Sequence, residues 1–178
     1  MEVDNGGRNM QTKVTKDLEN KTLIIEREFA APKSKIWSAY ADKELFEKWW
    51  GPEGWETTAK EFDFSPGGSI LYGMKCVDEN QGEWFGQVSW ALMKIESIDP
   101  ENSFTYIDYF ADENGTINQD MPALTITNEF TETDNGSKLV SRSVADSAEQ
   151  IEELIKMGML EGFDSQLNRF DKLLAEGL

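Results

Sequence analysis

The side chains that could carry acid–base chemistry are three carboxylates and two tyrosines in the middle of the chain. Glu83, Asp108 and Glu129 lie in predicted strands, and each points inward if the phase of its strand is shifted. A buried, unpaired carboxyl group has a raised pKa and exchanges protons near neutral pH, with Tyr72 or Tyr106 as acid, base or orienting donor. Since Asp and Glu are rarely buried without a partner, we expect all three carboxylates to face solvent.

Other reactive groups are scarce. The chain has no His, so the commonest general base near neutral pH and the commonest metal ligand are missing. Its one Cys, Cys76, has no thiol partner and is expected to be buried and inert. The Asp- and Asn-rich segments 78–82 and 112–115 lack the spacing of a calcium-binding loop and are interpreted as turns. We therefore predict no metal and no cofactor, and binding is favoured over catalysis.

Composition limits the partners. The chain has 178 residues, 17 basic and 34 acidic, so its formal net charge of -17 should repel nucleic acid and anionic lipid. Hydrophobic residues make up 39% of the chain, which is enough for one folded domain. No apolar segment approaches the roughly 20 residues of a membrane span, and no secretion signal is recognisable. We expect no membrane insertion and a reducing, cytoplasmic location.

The pattern along the chain predicts an α+β domain over residues 21–178, preceded by a mobile tail over 1–20. A first strand at 22–30 is followed by two short helices: one begins near Pro32, and the second is capped by Asp42 and ends at Gly51 and Pro52. Alternating runs separated by Gly, Asp and Asn then predict an antiparallel meander. With the first strand it forms a sheet of about seven strands, the later ones near 55–64, 69–77, 83–98, 103–111, 122–132 and 137–145.

The end of the chain predicts one long amphipathic helix. Its apolar residues recur every three or four positions: Ile151, Ile155, Met159, Phe163, Leu167, Phe170 and Leu174. Ser147 and Gln150 form a capping box at its start. Gly158 and Gly162 lie beside the stripe, where each costs about 1 kcal/mol of helix propensity relative to Ala, so we expect them to leave space for a ligand or a strand.

A curved sheet that wraps this helix encloses an apolar interior. The alternation of side chains along the strands predicts that Phe104 faces the interior, as do Val88, Trp90 and Leu92 on one strand. Ordinary core packing explains such residues as well as a ligand cavity does, and Trp49 is interpreted as structural. The candidate cavity lining is Trp50, Phe62, Phe64, Ile70, Tyr72, Met74, Val88, Trp90, Tyr106, Leu124, Ile126, Ile155, Met159 and Phe163.

Several short motifs occur in a distinctive order over roughly residues 22–176: Ala31-Pro32, Trp37, Asp42, Leu45, Trp49-Trp50-Gly51-Pro52, Asp63, Pro66-Gly67-Gly68, Met74, Asp108-Tyr109-Phe110, Met157-Gly158-Met159 and Glu161-Gly162-Phe163. Together they resemble the heat-shock protein 90 ATPase activator homologue-like (AHSA-type) family of the START-like (SRPBCC) superfamily.

That resemblance implies a helix-grip (START-like, Bet v-like) fold with a cavity between the sheet and the last helix. It implies no single function. The first expectation is a non-catalytic protein that binds a small hydrophobic or aromatic molecule. The alternatives are a cyclase- or aromatase-type enzyme that uses the same cavity, and a chaperone-associated module with a chaperone or other protein as partner.

Overall fold

The computed structural model describes residues 12–178, which form one antiparallel sheet and four α-helices. The sheet has eight strands in the order β1-β2-β8-β7-β6-β5-β4-β3. Strands that follow each other in the chain are neighbours in the sheet, except β2 and β3, which are connected through two helices. The strands are β1 Lys13–Asp17, β2 Thr22–Phe29, β3 Trp55–Phe62, β4 Ser69–Cys76, β5 Val88–Asp99, β6 Ser103–Ala111, β7 Leu124–Thr133 and β8 Gly136–Val144.

Two short helices follow β2, as the sequence predicts: α1 (Lys33–Ala41) and α2 (Lys43–Trp49). Asp42 ends α1 and starts α2, because its Oδ1 accepts a hydrogen bond from the Leu45 backbone N–H at 3.0 Å. This cap satisfies one of the backbone donors that a helix start leaves free. The short joint directs both helices against the same side of the sheet.

The first strand of the sheet was not predicted. Lys13–Asp17 form the edge strand β1, paired with β2 from Lys13 opposite Glu26 to Asp17 opposite Thr22. The prediction of a tail over 1–20 is therefore wrong for this stretch, and residues 1–11 lie outside the described residues. A single polar strand at a sheet edge needs no apolar alternation, because most of its side chains face water.

Strand β5 also starts later than expected. Residues Glu79–Trp84 form a 3-10 helix, and β5 begins only at Val88 instead of residue 83. The Asp78 Oδ1 atom accepts a hydrogen bond from the Asn80 backbone N–H at 2.9 Å and starts this helix. The other predicted strands agree with the observed bounds to within two residues.

The terminal segment contains two helices instead of one. Helix α3 (Ala148–Lys156) ends at Met157, and α4 (Met159–Glu176) starts after Gly158, whose φ of 95° is left-handed. Only Gly adopts that conformation without strain, so the apolar stripe continues across a break that its periodicity does not reveal. The start of α3 is as predicted, since Ser147 Oγ accepts a hydrogen bond from the Gln150 N–H at 3.2 Å.

The interior is closed by aromatic packing where α2 meets the second half of α4. The rings of Trp49 and Phe170 stack with centroids 4.1 Å apart, and Phe29 packs on Phe170 at 5.1 Å. All three side chains are fully buried. This arrangement, a curved antiparallel sheet closed over a C-terminal helix, is a helix-grip fold. No helix within residues 12–178 is long and apolar enough to cross a membrane.

Candidate functional site

A cavity of about 320 Å³ lies between the sheet and the first half of α4. A second chamber of about 170 Å³ shares part of its wall, including Tyr72, Met159 and Phe163, and extends towards Trp50 and Gln166. The side chain of Met157 lines the larger chamber at the α3–α4 junction and is 56% exposed, so the cavity opens to solvent there. Its volume lies within the range of small-molecule sites.

The middle of α4 is fixed by polar contacts to the turn after α2. The Gly51 N–H donates to Gln166 Oε1 at 2.8 Å, and the Glu53 N–H donates to Ser165 Oγ at 2.8 Å. Arg169 donates to the backbone carbonyls of Gly51 at 2.9 Å and Trp55 at 3.0 Å. Because these bonds start only at Ser165, they fix the height of the helix above the sheet without filling the space under its first turns.

The opposite side of α4 is held by Arg27 of β2, whose side chain is almost fully buried. Its guanidinium group pairs with Asp171 and donates to Asn168 Oδ1 at 2.9 Å. It also donates to Thr12 Oγ1 at 2.9 Å. A buried cation with several partners fixes the helix strongly, because losing a partner leaves a desolvated charge.

Gly158 and Gly162 both line the cavity, but for different reasons. Gly158 supplies the left-handed turn that starts α4. A Cβ atom added at Gly162 would meet nothing within 4 Å, so its missing side chain contributes open space to both chambers. The expectation that these glycines leave space fits Gly162, whereas Gly158 is required by backbone conformation.

One carboxyl group faces this otherwise uncharged space. Asp108 is the single ionisable acid or base, apart from tyrosine, among the described residues that line either chamber. Its neighbours in the sheet are Met93 on β5 and Leu124 on β7, whose side chains have no donor for its carboxyl group. The residue keeps some accessible surface because it faces the cavity, but its Oδ1 atom is buried and has no partner within the described chain.

Burial changes the proton affinity of this group. Loss of hydration raises the pKa of Asp108 from 3.8 to about 7, and a hydrogen-bonding interaction with Tyr72 lowers it by a smaller amount. Burial, reinforced by the Asp108 charge, raises the pKa values of Tyr72 and Tyr106 well above 10. The two phenols therefore stay protonated near neutral pH, while Asp108 is divided between its acid and carboxylate forms.

Eight of the candidate residues lie on the wall of one chamber or both: Trp50, Tyr72, Met74, Tyr106, Leu124, Ile126, Met159 and Phe163. Phe62, Phe64, Ile70 and Ile155 instead pack in or against the hydrophobic core. Whether any of them contacts a ligand stays a prediction. Trp50 is 5% exposed and stacks on Phe46 at 4.8 Å, so it is part of the inner wall and not of a solvent-exposed rim.

The predicted phase of β5 is wrong. Val88, Trp90 and Leu92 lie on the outer face, where Trp90 is opposite Gly73 and its ring occupies the space that a Cβ atom there would need. The inner row is Ser89, Ala91 and Met93, of which Ser89 and Ala91 line the cavity. The larger side chains suggested the wrong face, because the inner row is small where it borders open space.

The carboxylate predictions also need correction. Asp108 points into the cavity without any shift of phase, since it lies two residues after Tyr106 on the same strand face. Glu129 is on the surface paired with Arg142, and Glu83 is exposed in the 3-10 helix. No group of three or more His, Cys, Asp or Glu within residues 12–178 is arranged to hold a metal ion, and Cys76 is buried.

The fold and its enclosed cavity define the class of helix-grip proteins. Within that class, residues 30–175 match the family described as "Activator of Hsp90 ATPase homolog 1-like protein". The match spans most of the chain, and the chain belongs to this family. Among curated proteins, none matches it.

Several solved structures are similar to this chain. A crystal structure of a protein from Mycobacterium smegmatis has 37% sequence identity and a TM-score of 0.81, with 92% of this chain and 96% of that chain covered. A solution structure from Arthrobacter aurescens has 27% identity, a TM-score of 0.83 and coverages of 92% and 91%. One from Staphylococcus epidermidis has 28% identity, a TM-score of 0.75 and 96% coverage of both chains.

Proposed function

We propose that this protein binds one small, largely apolar molecule in the cavity under the first half of α4. The observation that carries the proposal is the position of Gly162, where open space is maintained on a helix fixed from both sides by Arg27 and Arg169. A helix that was free to move towards the sheet would close an empty space, because closer packing gains dispersion energy. The contacts that fix α4 therefore keep this space open.

The lining supports an apolar ligand with aromatic character. Met74, Met159 and Phe163 form flexible or aromatic walls, and Tyr72 adds a polar tip. Burying apolar ligand surface against such walls contributes a binding free energy of about 25 cal/mol per Å². A ligand of fewer than about 20 heavy atoms is appropriate to a cavity of about 320 Å³.

The test uses N-phenylnaphthylamine, a neutral apolar fluorophore whose emission rises in a dry site. We expect saturable binding with one site per chain and a Kd on the order of 100 µM or tighter. Gly162→Leu places a side chain in the open space and should weaken binding at least about tenfold. Ala175→Leu is the control, since it adds a similar side chain at an exposed position of the same helix.

Two results would contradict the proposal. One is the absence of saturable binding to a folded wild-type protein. The other is equal loss of binding in Gly162→Leu and Ala175→Leu, which would place the fluorophore on the surface instead of in the cavity. Thermal unfolding curves of both variants show whether each remains folded.

A second candidate function, proton-transfer catalysis of the cyclase or aromatase type, is favoured by Asp108 beside Tyr72. A carboxyl group with a pKa of about 7 is suited to accept a proton from a substrate and to return it. The test is hydrogen–deuterium exchange of the acidic C–H groups of tetralone in D2O. Exchange that exceeds the buffer rate and disappears in Asp108→Asn supports catalysis, whereas exchange at the buffer rate contradicts it.

A chaperone-associated interaction module is the third possibility, and it is supported by the description of the family. It makes a different prediction from ligand binding, because a surface contact does not need the open cavity. The measurement is the ATPase rate of heat-shock protein 90 with and without this chain. Stimulation that persists in Gly162→Leu supports the module, and an unchanged rate with wild-type protein removes it.

A further inference from the structure

The cavity contains an acid with no positively charged partner and with one oxygen, Oδ1, that has no hydrogen bond within the described residues, which restricts the chemistry of its occupant. On the basis of the proposed function, we infer that the bound molecule carries a cationic nitrogen, an aliphatic amine or amidine, that donates to the carboxylate group of Asp108. The apolar part of the molecule then lies along Tyr72, Met159 and Phe163. The expected ligands are therefore compact amphiphilic amines.

The geometry supports a donor at this position. Asp108 lines both chambers and is only partly buried, and its Oδ1 atom has no hydrogen-bond partner in the described structure. The side chains opposite it on the adjoining strands, Met93 and Leu124, are apolar. A carboxylate in an apolar wall with an unsatisfied oxygen destabilises the protein, so a ligand that supplies an N–H to this group gains more affinity there than at any apolar part of the wall.

Charge supports a cation instead of a neutral donor. No Lys or Arg is among the described residues that line either chamber, so the protein supplies no counter-ion to Asp108. The net charge of -17 also attracts cations and repels anions at the cavity mouth. A charge-assisted hydrogen bond in a low-dielectric site is about twice as strong as a neutral one.

The experiment compares four ligands that share one ring system: naphthylmethylamine, naphthylmethanol, methylnaphthalene and naphthoate. Their affinities are measured at pH 8 by displacement of N-phenylnaphthylamine. We expect the amine to bind about 10-fold to 100-fold more tightly than methylnaphthalene, with the alcohol between them and naphthoate weakest.

Two substitutions locate the effect. Asp108→Asn should reduce the advantage of the amine to about threefold or less, while the affinity for methylnaphthalene stays the same and reports an intact cavity. Asp120→Asn makes the same change in net charge at an exposed loop position and should keep the advantage. The pair therefore separates a direct contact from the field of the whole protein.

The outcomes distinguish this inference from the proposed function. If methylnaphthalene binds and the amine binds no tighter, the inference of a cationic ligand is wrong, whereas the proposed cavity function stands. An alcohol that binds more tightly than the amine also overturns it, since the donor is then neutral. Equal loss of the amine advantage in both variants shows a general charge effect and overturns the contact. If none of the four ligands binds, the proposed function fails as well.

Discussion

The pH dependence of stability should change when Asp108 is replaced by Asn. The pKa of the Asp108 carboxyl group is about 7 in the folded protein and 3.8 in its ordinary state, so the folded state binds the proton more tightly. Between about pH 4 and pH 7 the unfolded chain releases this proton before the folded one does. The contribution of Asp108 to the free energy of unfolding therefore falls as pH rises through this window and levels off above it.

The magnitude follows from the same two pKa values. Each pKa unit corresponds to 1.36 kcal/mol, which gives an upper limit of about 4 kcal/mol at pH 8. Water that reaches the cavity lowers this figure, so we expect about 2 kcal/mol. Asn has a similar shape and does not ionise. The Asp108→Asn variant should thus equal the wild type near pH 4 and be more stable by about 2 kcal/mol at pH 8.

Urea unfolding at pH 4.5, 6 and 8 measures this difference directly. Other carboxylates do not interfere, because groups such as Glu26, whose pKa is lowered by Lys138 and Lys13, contribute equally to both proteins. Asp120→Asn serves as the control for the change in net charge. A difference between Asp108→Asn and wild type that stays constant from pH 4.5 to 8 would refute the reasoning.

Three further substitutions should change stability in defined directions, each measured by urea unfolding. Gly162→Ala should stabilise by up to about 1 kcal/mol, since its Cβ enters open space and Ala favours the helix. Gly158→Ala should destabilise by about 1–2 kcal/mol because of its left-handed φ. Arg169→Ala should destabilise by about 1–3 kcal/mol through the carbonyls it leaves unpaired. Equal signs for the two glycine variants would contradict their assigned roles.

Much of the fold could be predicted from the sequence because its signals are local. Asp42, Ser147 and the turn residues mark where helices and strands begin and end, whatever lies elsewhere in the chain. The break at Gly158 escaped prediction because the apolar stripe keeps its period across it. Strand β1 escaped because an exposed polar edge lacks apolar alternation.

The site was less predictable, since it depends on which face of each strand points inward. On β6 the alternation from Tyr106 places Asp108 in the cavity, a signal present in the sequence that the expectation of solvated carboxylates overrode. On β5 the usual preference for large inward residues fails, because Trp90 covers Gly73 on the outer face. No local rule reveals that Gly73 is opposite Trp90, as this requires the register of two strands.

The central claim is that a small molecule enters the space under the first half of α4. Methionine methyl groups labelled with carbon-13 test it, because Met74 and Met159 line the cavity. On addition of naphthylmethylamine, we predict saturable shifts of the Met74 and Met159 signals, and much smaller shifts of both in Gly162→Leu. Shifts confined to methionines outside the cavity lining, or none at saturating ligand, would contradict the account.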